Sequence, residues 1–234
     1  MTGLMAGSGA FAGAVVADVG LHPVAVVYYA AAVAIALILH EFAHAFVAGR
    51  VGDHTPRSMG RLTLNLRPHV DPFGTLVFPA ILLLPILFSG SGIMFAYAKP
   101  MPLNPWNLRR GTRDIVLIQL AGPVVNLILA IGFGALLGAT CGTRGLEDFF
   151  AACVRVNVFF AAIHLVPMPP LDGARAVGPF LSPRAREVFT NMEQYAPLFI
   201  LLVFFILGQF FFSFVGTIAG GLLRLVPGSS CLLF

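Results

Sequence analysis

The sequence predicts a membrane all-α protein: a polytopic helical bundle of about 4–6 membrane segments, with a broken or re-entrant hairpin and a short β-strand or hairpin near its polar centre. Three observations carry this. The chain of 234 residues is 58% hydrophobic and only 10% charged, whereas soluble domains carry about 25% charged residues. Its mean hydropathy is +0.91, so polar groups cannot cover a water-facing surface. Its charges also gather in short stretches between apolar runs that, at ~1.5 Å per residue, are long enough to cross a ~30 Å hydrocarbon core. The length fits one integral-membrane domain over 1–234, with a core at about 24–190 and a C-terminal membrane segment at about 195–226.

The first strong span runs from about Val24 to Val51, with an unbroken apolar run up to Leu39. His40 and Glu41 follow, so the ionisable groups lie in its C-terminal half. Residues 52–72 are a polar connection. Within it, 61–66 alternate polar and apolar with period two, the signature of a short half-buried strand. Residues 73–98 are apolar but broken by Pro79, Pro85 and a Ser-Gly-Ser-Gly run at 89–92, which argues against one straight helix. A second polar loop covers 99–113. Further spans lie at about 114–139 and 148–166, the latter ending in a Pro-rich turn before Asp172. The last span runs from about Tyr195 to Leu225, with Gly208, Gln209 and Gly216 as candidate breaks. Residues 1–20 lack a basic lead and form either a weak extra segment or a lead-in.

The net charge is +4, and all basic residues but Lys99 are arginine. They sit in loops beside apolar runs, the usual anchoring pattern of membrane proteins, which argues against a nucleic-acid partner. Cys141, Cys153 and Cys231 are neither clustered nor even in number and read as packing residues rather than a disulfide framework.

The chemistry lies in His40-Glu41-Phe42-Ala43-His44. On a helix, positions i and i+4 share a face, so both imidazoles reach one ion. Glu41 is one step round, placed to accept a proton from a water that zinc acidifies towards a pKa of ~7. The bland alternative is a pair of core histidines. Ionisable groups in a membrane span are costly, however, and read as functional. Catalytic zinc takes three protein ligands and keeps one position open. Asp172 is the outstanding third candidate. Its other reading is an N-cap for the helix that follows.

Three motifs in order resemble the site-2 proteases, in their compact bacterial branch. They are His40 to His44, Ala121-Gly122-Pro123-Val124-Val125-Asn126, and Leu165-Val166-Pro167-Met168-Pro169-Pro170-Leu171-Asp172-Gly173. The resemblance covers roughly residues 24–190. It implies that His40, His44 and Asp172 bind one zinc per chain and that Glu41 activates water. The implied substrate is a membrane-protein segment cleaved within the bilayer, and the implied location is a bacterial inner membrane. His164 stands where the family usually has Asn. It and Asn126 are candidates to bind substrate or the developing oxyanion, and His164 could also pack or ligate metal. The alternatives are an inactive protease-like scaffold and a metal transporter, though a transporter needs ligands staged along a path.

Topology follows from parity. His40, His44 and Asp172 can meet only if their spans run in the same direction. The loops at 52–72 and 99–113 then share the active-site face, so 73–98 must enter and leave on that one side. Roughly 26 residues cannot cross twice, which predicts a re-entrant hairpin turning near 85–92. Eleven of the 14 basic residues then lie on the active-site side, which puts that side in the cytoplasm.

Overall fold

The computed structural model describes residues 23–89 and 95–233. Its long helices are α1 (Pro23–Val51), α3 (Thr112–Thr140) and α4 (Leu146–His164), and these pack on one another more extensively than any other elements. Small residues face the contacts: Ala32, Ala36, Ala45 and Ala48 on α1, Gly122, Ala130 and Gly134 on α3, Ala151, Ala152, Ala161 and Ala162 on α4. Small side chains let backbones approach where lipid gives no hydrophobic drive for helix association. α4 is buried almost all round from Ala151 to Ile163 and is the central helix. Large apolar side chains on the outside, such as Val27, Leu117, Ile128, Phe205 and Phe210, are exposed, as they should be when lipid is the solvent. α1 and α3 are each apolar and long enough to cross a membrane.

Between α1 and α3 the chain makes a helical turn, Thr55–Ser58, a wider turn, Pro72–Val77, and helix α2 (Phe78–Ser89). It comes back extended at Phe95. Tyr97 N donates to Gly74 O at 3.1 Å and Lys99 N to His69 O at 2.9 Å, so the segment returns to the level it left. Gly74 is required at this closure, because a Cβ there would run into the Tyr97 ring. Of the turn expected near 85–92, residues 85–89 still belong to α2 and 90–92 lie outside the described residues, as does the expected segment at 1–20.

The strand expected at 61–66 does not form, and there is no β-strand among the described residues. Thr63 Oγ1 accepts from Asn65 N and Asn65 Oδ1 from Arg67 N, so local side chains take the amides that a ladder would need. The alternation has another origin: Arg61 is buried because its guanidinium donates to the carbonyls of Lys99 and Pro100.

After α4 come α5 (Asp172–Val177), α6 (Pro183–Gln194), α7 (Ala196–Ile206) and α8 (Gly208–Leu223). The axis turns by 88° between α6 and α7. The last apolar span is split at Leu207, next to Gly208.

The cysteine reading is corrected. Cys141 and Cys231 form a disulfide across 90 positions, and only Cys153 is free and buried. No sequence spacing marks such a pair, because the packing of the tail against the end of α3 brings it together. Gly228 lies against Gly134 and Gly138, and Arg155 donates to the Leu232 carbonyl.

Candidate metal centre

His40 and His44 lie one turn apart on the buried face of α1. Asp172 opens α5 at the same level, and its own cap position is held by Leu171, so the carboxylate is not an N-cap. Its Oδ2 lies 2.9 Å from His40 Nε2 and 3.2 Å from His44 Nε2, and the two Nε2 atoms are 3.0 Å apart.

The far side of each ring fixes the protons. Asn126 Nδ2 donates to Asn157 Oδ1 at 2.9 Å and to Ala36 O at 3.3 Å, and Asn157 Nδ2 donates to Cys153 O at 2.8 Å. Asn126 Oδ1 therefore faces His40 and accepts from its Nδ1 at 2.6 Å. The carbonyl of Ile118 accepts from His44 Nδ1, also at 2.6 Å. A neutral imidazole has one N–H, so both Nε2 atoms turn bare lone pairs towards a carboxylate oxygen. Three electron-rich atoms within 4.8 Å of one another are a cation site. Two imidazoles and one carboxylate are a donor set that suits catalytic zinc and leaves a fourth position free. The outer partners are of the kind that orients metal-binding histidines.

Room for the two rings comes from α3. A Cβ on Gly122 would collide with both imidazoles. Glu41 is half-buried and lines a cavity with His44, Tyr97, Gln119, Met168 and Asp172, whose outer wall is Phe95, Ile200, Val203, Phe204 and Phe211. His164 lines it too, and its Nδ1 donates to Asp172 Oδ2 at 2.8 Å. Of the residues singled out in the sequence, His40, Glu41, His44, His164 and Asp172 thus converge. Asn126 is fully buried behind His40, with both ends of its amide occupied. His69 is buried against the Thr63 carbonyl, outside the cluster.

Sequence reasoning missed Asn157, Gln119 and Arg175. Asn157 carried a signal, as an isolated amide inside an apolar span. Arg175 lines the cavity and gives Nε to Glu193 of α6 at 3.0 Å.

Comparison with known proteins agrees with this chemistry. The chain is 36% identical over 179 residues to "Putative zinc metalloprotease YwhC" of Bacillus subtilis, covering 73% of this chain and 76% of that one. It is 35% identical over 178 residues to "Putative zinc metalloprotease Rip2" of Mycobacterium tuberculosis, covering 63% of its length. Over 197 residues it is 31% identical to the protein of that name in Mycolicibacterium smegmatis, covering 71%. No family profile and no solved structure matches. At this identity and coverage, and with a donor set suited to zinc, the chain belongs to the site-2 protease family of membrane zinc metalloproteases.

Proposed function

We propose that this protein is an intramembrane zinc endopeptidase that hydrolyses peptide bonds within or near transmembrane segments of other membrane proteins. The observation that carries the proposal is the cluster of three bare donor atoms on His40, His44 and Asp172, with His44 and Asp172 lining one cavity together with Glu41. His40, His44 and Asp172 hold the ion. Zinc, when bound, supplies a Lewis acid and an acidified water. Glu41 accepts the proton given up during attack and passes it to the leaving amine. His164 steadies Asp172 through its Nδ1–H. The donors meet at one point rather than along a path, which disfavours a transporter, and the intact Glu41 disfavours an inactive scaffold.

A substrate helix must be locally unwound before its peptide bonds can react, and its freed backbone groups need partners in lipid. The edge that receives it is 95–101. This extended segment lines the cavity through Phe95, Tyr97, Ala98, Pro100 and Met101. Its Tyr97 and Lys99 amides already bond to the hairpin, so with period two the Ala98 groups point the other way, towards substrate.

The whole chain acts as one membrane domain. α1, α3, α4 and the α7–α8 pair are its crossings, and 72–98 is a re-entrant hairpin. The arginine-rich loops support a metal site at the cytoplasmic face of a bacterial inner membrane. The disulfide supports this orientation independently. Cys141 lies at the far end of α3 from Ile118, roughly 35 Å away along the helix, and disulfides persist in oxidising compartments, not in the cytosol.

Glu41→Gln tests the mechanism. It keeps shape and zinc but removes the proton acceptor. Cleavage of a single-span reporter protein is expected to fall ~10²-fold or more. Full zinc content with near-normal cleavage would rule Glu41 out as the base.

A further inference from the structure

When a peptide carbonyl is attacked, negative charge gathers on its oxygen, and a preorganised donor must face it. Both donors nominated from the sequence are committed elsewhere. Asn126 spends its N–H groups on Asn157 and Ala36. His164 spends Nδ1–H on Asp172, and the Nε2 of a neutral ring then has only a lone pair to offer. Arg175 gives Nε and Nη2 to Glu193.

Gln119 is different. It is only 6% exposed, yet its side chain lines the metal cavity together with Glu41, His44 and Asp172. It also lines the adjoining cavity bounded by Met101, Leu103, Thr190 and Glu193. Among the described residues its amide has no hydrogen-bond partner, and neither of its polar atoms is sealed off from the cavity, so the amide is open to a ligand or water there. Its position on α3 sets its level. The preceding residue, Ile118, holds His44 through its carbonyl, and Gly122, one turn on, faces both metal-site imidazoles.

We propose that Gln119 is a catalytic residue, whose amide N–H donates to the carbonyl oxygen of the scissile peptide as charge develops there. This rests on the protease reading above. The amide oxygen remains free to accept from a substrate backbone N–H or a water. Tyr97 is the other donor in the cavity wall with a buried, unpartnered hydroxyl, but its ring lies on Gly74 where the segment closes, so it is the rival donor that the test must exclude.

The test uses the zinc-loaded protein in detergent and two readouts. The first is calorimetric binding of a phosphinic Leu-Leu peptide, whose tetrahedral P–O⁻ stands in for the attacked carbonyl. The second is cleavage of a single-span reporter protein. Gln119→Leu and Gln119→Glu both lack an amide donor. Each is expected to retain one zinc per chain, to bind the phosphinic peptide ~10²-fold more weakly and to lose ~10²- to 10³-fold in kcat with little change in KM. Gln119→Asn, which keeps an amide, should recover part of both losses. Wild-type binding and kcat in Gln119→Leu would overturn the assignment, as would loss of zinc from both Gln119→Leu and Gln119→Glu, which would make the residue structural. A ~10²-fold loss of phosphinic-peptide binding and kcat in Tyr97→Phe with no loss in Gln119→Leu would assign the donor to Tyr97 and overturn it too. Failure of the protease reading looks different: the zinc-loaded wild type would then ignore the phosphinic peptide and leave the reporter intact.

Discussion

At the scale of single residues, the site depends on side chains that never touch substrate. His40 can turn Nε2 inwards only because Asn126 accepts from Nδ1, and Asn126 presents its oxygen only because Asn157 and Ala36 take its N–H groups. Replacing Asn126 with Leu removes that acceptor, and zinc affinity is expected to drop ~10- to 100-fold, as for other second-layer partners. Competition with a chelator of known affinity measures it; unchanged affinity would show that His40 needs no such support. Gly122→Ala pushes a methyl group into both imidazoles and should release zinc from a protein that still folds. The two histidines and Glu41 were legible in the sequence because one helix turn fixes their spacing. Asp172 was legible from its place after a Pro-rich turn. Gln119 was not, because its exposure depends on how the helices pack, which no local spacing encodes, and Asn157 showed only as an isolated amide in an apolar span with nothing to name its partner.

At the scale of elements, the hairpin and the loops around it shape the cavity mouth. The returning limb was predictable by parity, and the 97–74 and 99–69 hydrogen bonds close it. The strand at 61–66 was misread, since Arg61 owes its burial to carbonyls 38 and 39 positions away. Asp53 anchors the second loop to the end of α1. Its carboxylate accepts from Thr55, Asn104 and Asn107. Burial alone would raise its pKa, but these donors hold it below the ordinary carboxylate range, so the anchor is intact at neutral pH and lost only as acid protonates it. The extended limb has its own test. Ala98→Pro removes the amide proposed to pair with substrate and should impair reporter cleavage at least 10-fold with zinc retained. Undiminished cleavage would exclude 95–101 as the receiving edge.

At the scale of the whole molecule, charge and redox chemistry both support the proposed orientation. Most arginines lie in loops on the metal-site side, whereas the Cys141–Cys231 pair joins the far end of α3 to the C-terminal tail. Arg57→Cys and Asn107→Cys should both be labelled by an impermeant thiol reagent only from the cytoplasmic side; labelling from opposite sides would break the hairpin, and labelling of both from outside would reverse the orientation. The most direct test of the central claim combines metal content with the position of the cut. The purified protein is assayed for zinc and incubated with a single-span membrane protein, and the products are located by mass spectrometry. One zinc per chain is expected, with a cut within or at the edge of the apolar segment that disappears on chelation and returns when zinc is restored. A protein that carries its zinc but makes no such cut, or one that cuts equally well after the metal is stripped, would contradict it.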